Sequence, residues 1–439
     1  MADMIQHISD WFIGLHPYWQ ALIRVLLYVL PILMLVPGFI WWERRLLSWM
    51  QDRIGPNRVA TITLKSGKKI SLFGLLQPIA DGVKLFFKED ITPSTVDRVI
   101  YFIAPAVALF PAFALGGTMP WSADIFLTPI SDANIGILFV LAVSSLGVYG
   151  VVLAGYGSNN KYSLMGGLRA SAQLISYELA MGMSLACVAL WTGSLKLTEM
   201  VRGQELGLWG TNGPIANWNI FTPFGFVAAM VFLICMVAET NRAPFDLPEA
   251  ENELIAGYHT EYSSMKFAVF FMGEYAAMFV FSGIFATVFL GGYDPLPVRW
   301  DAIGMSNVGQ IMHFPLIGAI TLIGKCTVGL TFYIWLRATL PRLRYDQLMS
   351  IGWKSLLPLA VGNFVLVGFW ILLTTLYSGS IAVSAGSILA SGIVLLGLYK
   401  AASSLLTHGE DRLDERVITM TESEPRREIE LVDPAKAVV

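Results

Sequence analysis

The sequence predicts an all-α polytopic membrane protein of about nine transmembrane helices, and three observations predict it. Of 439 residues, 55% are hydrophobic and only 14% are charged, against roughly 25% charged residues in a soluble domain. Nine apolar stretches reach the length of about 20 residues that a helix needs to cross a hydrocarbon core. Lys and Arg gather in alternate connecting loops, the charge bias that sets orientation in a bilayer.

The N-terminal "MADMIQHISDWFIGLHPYWQ" holds no Lys or Arg. It therefore lacks the basic start of a cleaved signal peptide, and the first helix is expected to be retained. Within residues 1–19, polar and bulky apolar residues from Ile5 to Trp19 interleave, which suits an amphipathic segment on the outer, periplasmic interface. The expected spans follow at 20–42, 98–117, 134–155, 173–192, 222–238, 267–290, 316–338, 356–377 and 380–399. Segment 43–97 carries nine Lys/Arg, 156–172 two and 339–355 three, whereas 118–133 carries none, 193–221 two and 291–315 one. That bias predicts a periplasmic N-terminus, a cytoplasmic C-terminus, and cytoplasmic loops at 43–97 and 239–266.

The organisation is then an eight-helix membrane domain over 20–377, an additional ninth helix within 378–399, and a cytoplasmic tail over 400–439. The tail is dense in charge and poor in aromatics, as expected of an extension or docking arm. Residues 59–73, "VATITLKSGKKISLF", alternate β-branched and polar residues around Ser66-Gly67-Lys68, the pattern of a small hairpin.

Composition also excludes chemistries. A net charge of −3 gives no case for nucleic acid or an acidic partner. Cys187, Cys235 and Cys326 each stand alone in apolar runs, with no CxxC pair for zinc or an iron–sulfur cluster. His7, His16, His259, His313 and His408 fall at segment ends or in loops, which leaves no facing pair for a membrane haem. No redox centre is expected on this chain.

Four ionisable residues fall inside the spans: Arg24, Glu178, Glu274 and Lys325. Each costs roughly 2.5–3.5 kcal/mol at mid-helix, so function or pairing is the default reading. Arg24, near a helix end, is explained by snorkelling. Counted from the expected starts of their spans, Glu178 and Glu274 lie about 8 and 10 Å into helices entering from the cytoplasm, and Lys325 lies deeper. One reading is a structural ion pair across helices; the other is a proton relay of buried carboxyls coupled to the lysine.

The stretch "AETNRAPFDLPEAENEL" follows the fifth span. From Glu239 to Glu261 there are six carboxylates (Glu239, Asp246, Glu249, Glu251, Glu253, Glu261) and one arginine, Arg242. Charge alone favours a solvated acidic loop. Pro244 and Pro248, fixing so many acids beside one membrane surface, argue for a built cavity. The first cytoplasmic loop supplies the complement: "WWERRLLSWMQDRIGPNR" carries Glu43, Arg44, Arg45, Arg53 and Arg58. In "GLLQPIADGVKLFFKED", Asp81, Lys84 and Lys88 share one face of a short amphipathic helix.

These stretches, with "GLRASAQLISYELA", "IAGYHTEYSSMKFAVFFMGEYA" and "LRATLPRLRYDQLM", resemble the quinone-site membrane subunits of respiratory complex I, the H-type (ND1-type) subunits of proton-pumping NADH:quinone oxidoreductase. The similarity runs from about residue 38 through the eighth span. It implies a quinone chamber, with ubiquinone the expected substrate, walled by the matching residues Arg44, Arg53, Asp81, Phe271 and Arg337. It implies an acidic funnel of Glu43, Glu239, Asp246, Glu249, Glu251, Glu253 and Glu261, with Arg242 paired among them, and a buried relay of Tyr177, Glu178, Glu274 and Lys325. The flavin mononucleotide (FMN) and iron–sulfur (Fe-S) clusters would belong to partner subunits, with hydrophilic subunits at the chamber and antiporter-like subunits along the membrane. The expected location is a bacterial inner membrane in preference to a mitochondrial one. The 59–73 insertion and the ninth helix depart from shorter members. Two alternatives stand beside this reading: the equivalent subunit of a membrane-bound hydrogenase-type complex, and a stand-alone ion transporter.

Overall fold

The computed structural model describes residues 12, 14–57, 59, 61–63, 69–71, 73–122, 132–206, 215–246, 256–299, 302, 303, 315–376 and 392. The helices are α1 (Pro17–Met50), α2 (Gln77–Phe87), α3 (Arg98–Gly116), α4 (Gly136–Gly157), α5 (Lys161–Thr192), α6 (Leu197–Gln204), α7 (Pro223–Glu239), α8 (Ser264–Phe289), α9 (Pro315–Thr339), α10 (Tyr345–Ser350) and α11 (Leu357–Leu376). Among the described residues, α1, α3, α4, α5, α8, α9 and the near-continuous run from Tyr345 to Leu373 are long and apolar enough to cross a membrane, while α7 is a shorter apolar helix. The chain is thus an all-helical polytopic membrane protein apart from one short hairpin. The expected ninth span apart from residue 392, the tail, residues 1–11 and 13, and Glu249, Glu251 and Glu253 lie outside the described residues.

Helix starts follow local chemistry. Asp97 accepts from the backbone N–H groups of Val99 and Ile100 ahead of α3, Asn160 from Tyr162 ahead of α5, and Thr222 from Gly225 ahead of α7. Pro17 and Pro223 occupy first turns, where no N–H is missed. At the end of α5, Gly193 adopts φ +70°, which L side chains rarely reach, and its N–H returns to Ala189 at 2.9 Å.

Several boundaries differ from the sequence reading. Helix α1 continues to Met50, so Glu43, Arg44 and Arg45 belong to a helix and not to the loop after it. Helix α5 starts at Lys161, ahead of the span expected from 173, which puts Glu178 well inside a 32-residue helix. Both helices carry polar residues through their ends because tertiary contacts, more than apolar length, keep those turns helical. The hairpin expected in 59–73 has paired strands, β1 (Thr61–Thr63) and β2 (Lys69–Ser71), antiparallel with Ile62 opposite Ile70.

Around a central core, α3 packs on α4, α4 on α5, α5 on α7 and α11, and α8 on α3 and α9. The core gathers Tyr177, Met181 and Leu185 of α5 with Phe232 and Cys235 of α7. Phe279 and Phe289 of α8 and Leu322 and Cys326 of α9 complete it. Helices α3 and α4 approach so closely that a Cβ on Gly150 would lie 2.6 Å from the Ala108 backbone. The closeness of small residues is how helices associate without a hydrophobic driving force between them. The C-terminal ends of α1, α7 and α9 meet the N-terminal part of α8, and the polar residues collect there.

Candidate functional site

The buried stripe of α1 runs Tyr28, Ile32, Val36, Phe39 and then Glu43. Steps of four, four, three and four keep one face of a helix, so a carboxylate is delivered in phase with the apolar seam. Glu43 is 5% exposed. Such a burial is sustained only by partners, and three converge. Arg337 at the end of α9 contacts Glu43 Oε1, Tyr275 of α8 donates its hydroxyl to Glu43 Oε2, and Arg242 lies 3.8 Å from Oε1.

Arg242 follows α7 and is itself 8% exposed. Its other nitrogen stands 3.6 Å from Glu274 Oε2, and its guanidinium lies 4.5 Å from the Tyr275 ring centroid and 5.8 Å from Phe271. Delocalised and planar, a guanidinium can serve two carboxylates and two ring faces together. Tyr258 donates to Glu274 Oε1 at 3.1 Å. The structure therefore brings together Glu43, Arg242, Phe271, Glu274 and Arg337 from the sequence reading, and adds Tyr258 and Tyr275.

Beside this cluster is a cavity of about 90 Å³ lined by Ser144, Leu174, Glu239, Asn241, Tyr258 and Glu274, among others. That volume is room for several water molecules at roughly 10–15 Å³ of accessible space each, and apolar residues such as Leu115, Val148, Val151 and Phe281 make up most of the remaining lining. Glu239 Oε2 is buried without a hydrogen-bond partner among the described residues. Ser144 Oγ links the cavity to Glu178, donating to Oε1 at 3.2 Å. Glu239 and Glu274 thus line one largely apolar cavity between α3, α4, α5, α7 and α8, and Glu178 reaches it through Ser144.

Other expected residues hold the frame. Arg44 pairs with Asp81 at 2.5 Å, tying α1 to α2, with both side chains substantially exposed. Arg53 is exposed and its guanidinium reaches Gln51. Asp246 pairs with Arg342 at 3.1 Å, and Glu261 accepts from Asn160 at 2.7 Å. Tyr262, next in the chain, stacks on Tyr101 at 4.3 Å; burial, and then Tyr101, push its phenol above the ordinary range. Tyr177 donates to the Leu348 carbonyl at 2.9 Å and its ring packs on Phe245.

Lys325 goes elsewhere. Its ammonium donates to the carbonyls of Leu290, Gly292 and Asp294 beyond the far end of α8, and sits 4.5 Å from the Trp218 ring centroid. Leu290 is sixteen residues past Glu274, about 24 Å along a helix. The structure does not bring Lys325 to the carboxylates.

Residues outside the expected chamber, funnel and relay also shape the site. Arg45, 9% exposed, holds the Gly-Pro-Asn turn by donating to the Ile54 carbonyl at 2.8 Å. Gln173 and Asn241 secure the turn after α7. The signal for Gln173 was faint: a lone polar residue on an apolar helix face, which periodicity would have placed toward the core.

An apolar bundle with arginines and carboxyl groups packed together at one end defines an integral membrane protein. The family model described as NADH dehydrogenase matches residues 23–368, and the chain belongs to that family. Its relatives include H subunits of bacterial NADH-quinone oxidoreductases. The second such subunit of Koribacter versatilis is 44% identical over 370 residues, covering 80% of this chain and 97% of the relative. The one from Ralstonia nicotianae is 43% identical over 376 residues, with 84% and 98% covered. The one from Cupriavidus necator is 42% identical over 377 residues, with 84% and 98% covered.

Proposed function

We propose that this chain is the H-type membrane subunit of a proton-translocating NADH-quinone oxidoreductase in a bacterial inner membrane, forming the quinone chamber and linking quinone reduction to proton movement. The observation that carries the proposal is the buried Glu43 held by Arg337, Tyr275 and Arg242, with Arg242 also facing Glu274 beside the cavity. The site end faces the cytoplasm, where hydrophilic subunits carrying flavin mononucleotide and iron–sulfur clusters would dock and deliver electrons. Antiporter-like subunits would continue the membrane arm.

Quinone, the substrate, takes up two electrons and two protons to become quinol. The residues of this chain would position its headgroup and respond to the charge it gains. Arg44, Arg53, Asp81, Phe271 and Arg337 form the proposed chamber wall, their cations placed to attract carbonyl oxygens that become electron-rich on reduction. Negative charge arriving there draws on Arg337 and Arg242, which also serve Glu43 and Glu274. A guanidinium shared between sites transmits the change because drawing it toward one anion weakens its hold on the other. The freed carboxylate takes up a proton, with Glu239 across the cavity and Glu178 beyond Ser144 as the proposed next acceptors. Glu249, Glu251, Glu253, Asp246 and Glu261 are proposed as the acidic approach, and Tyr177 as a frame for Glu178. Lys325, which donates to three backbone carbonyls beyond the far end of α8, is proposed as a clamp on that turn and not as a relay member.

The test is a photoreactive quinone cross-linked in assembled membranes and mapped on this chain. Label at Arg44, Arg53, Asp81 or Phe271 is expected; label confined elsewhere overturns the chamber.

A further inference from the structure

Gln173 is fully buried on α5, four residues before Tyr177 and five before Glu178. Its amide nitrogen donates to the Ala238 carbonyl at 2.9 Å, the Phe245 carbonyl at 3.0 Å and Asn241 Oδ1 at 3.3 Å. Those acceptors bracket Glu239 and Arg242. Two of them are backbone carbonyls, which can only accept, so the amide must present its nitrogen to the turn. Its oxygen is buried without a partner among the described residues.

A buried amide with one end unmade costs roughly 1–3 kcal/mol, and Met or Leu would fill the same space without that cost. The contact is also local to the carboxylates. Ala238 immediately precedes Glu239, Asn241 immediately precedes Arg242 and adopts φ +50°, and Phe245 packs its ring on Tyr177. One side chain of the Glu178 helix therefore grips both ends of the turn that presents Glu239 and Arg242.

We infer that Gln173 is a positioning residue, fixing the Glu239–Arg242 turn against α5 so that Glu239 keeps its place beside Glu274 at the cavity and in register with Glu178, which meets that cavity through Ser144. The inference rests on the coupling role proposed above. A packing role would need only the volume of the side chain; the positioning role needs its two N–H donors.

The experiment places Gln173→Met and Gln173→Glu in the assembled complex and measures quinone-linked NADH oxidation and protons moved per NADH in sealed membrane vesicles. Both are normalised to complex content. Met keeps the length and removes the donors; Glu keeps the shape and sets an acceptor against two carbonyls. Loss of the grip is expected to lower the rate per complex about tenfold for Met, the equivalent of one buried hydrogen bond, and further for Glu, with fewer protons per NADH in both. Where Met lowers complex content, Asn241→Gly, which tolerates the positive φ, removes one acceptor from the other side and is expected to give a smaller loss of the same kind. Glu178→Gln and Glu239→Gln run alongside. If they lose proton yield while the Gln173 and Asn241 variants keep rate and yield per complex, the positioning role is refuted and the coupling role stands. If the two Glu variants keep full yield, the coupling role fails and the inference falls with it.

Discussion

Replacing Glu43 by Gln removes the charge shared by two guanidiniums while keeping the side chain's shape. Arg337 contacts Glu43 Oε1 and Arg242 lies 3.8 Å from the same oxygen. With the carboxylate gone, two cations face a neutral amide. A unit-charge interaction at about 4 Å is worth roughly 4 kcal/mol at an effective dielectric of about 20. The Arg337 side chain is 44% exposed, so water screens its share and the figure is discounted to about 2 kcal/mol. Arg337 is expected to turn outward, and the Tyr275 hydroxyl loses its ionised acceptor. At about 1.4 kcal/mol per tenfold, quinone-linked NADH oxidation per assembled complex should fall by roughly thirtyfold. Reduction of an artificial acceptor that takes electrons ahead of quinone should stay unchanged. A double-mutant cycle with Arg337→Met should show non-additivity of about 1 kcal/mol or more, as for residues in one network. Normal quinone-linked rates in the Glu43→Gln complex, or strictly additive losses in the cycle, would refute the reasoning.

Glu178→Gln and Glu274→Gln should each slow quinone-linked turnover or lower proton yield while leaving the complex assembled, read from vesicle acidification against subunit content; two variants with unchanged yield end the relay proposal. Lys325→Met strips the donor from three backbone carbonyls, and the buried acceptors should cost roughly 1–3 kcal/mol, seen as earlier thermal disassembly of the purified complex with proton yield per NADH kept. A lost yield at unchanged stability would show instead that Lys325 works in the relay. Arg44→Ala opens a pair exposed on both sides, so stability should change by less than about 1 kcal/mol. A quinone effect, if Arg44 walls the chamber, should appear in KM.

The sequence by itself determined the class of this protein. Composition and run length require helices that satisfy their own backbone in lipid, and the spans expected up to residue 377 reappear as helices. It also placed an unusual density of acid after α7, and the four-four-three-four step from Tyr28 to Glu43 already aimed one carboxylate inward. It left open whether that acidic run was surface or cavity, because charge counts carry no depth.

Tertiary structure decided which charges meet. Glu43 and Arg337 come together across 294 positions of the chain, and Arg242 serves Glu43 and Glu274 from a third element; nothing local encodes such pairings. Helix rotation and end-to-end direction settled the rest. Lys325 was expected among the buried acids, yet its helix presents it to carbonyls about 24 Å along α8 from Glu274. Gln173, unremarkable among apolar neighbours in the sequence, faces the turn between Glu239 and Phe245 because α5 crosses α7 at that point. A chain's pattern fixes which side of a helix is buried, but only packing fixes what that side is buried against.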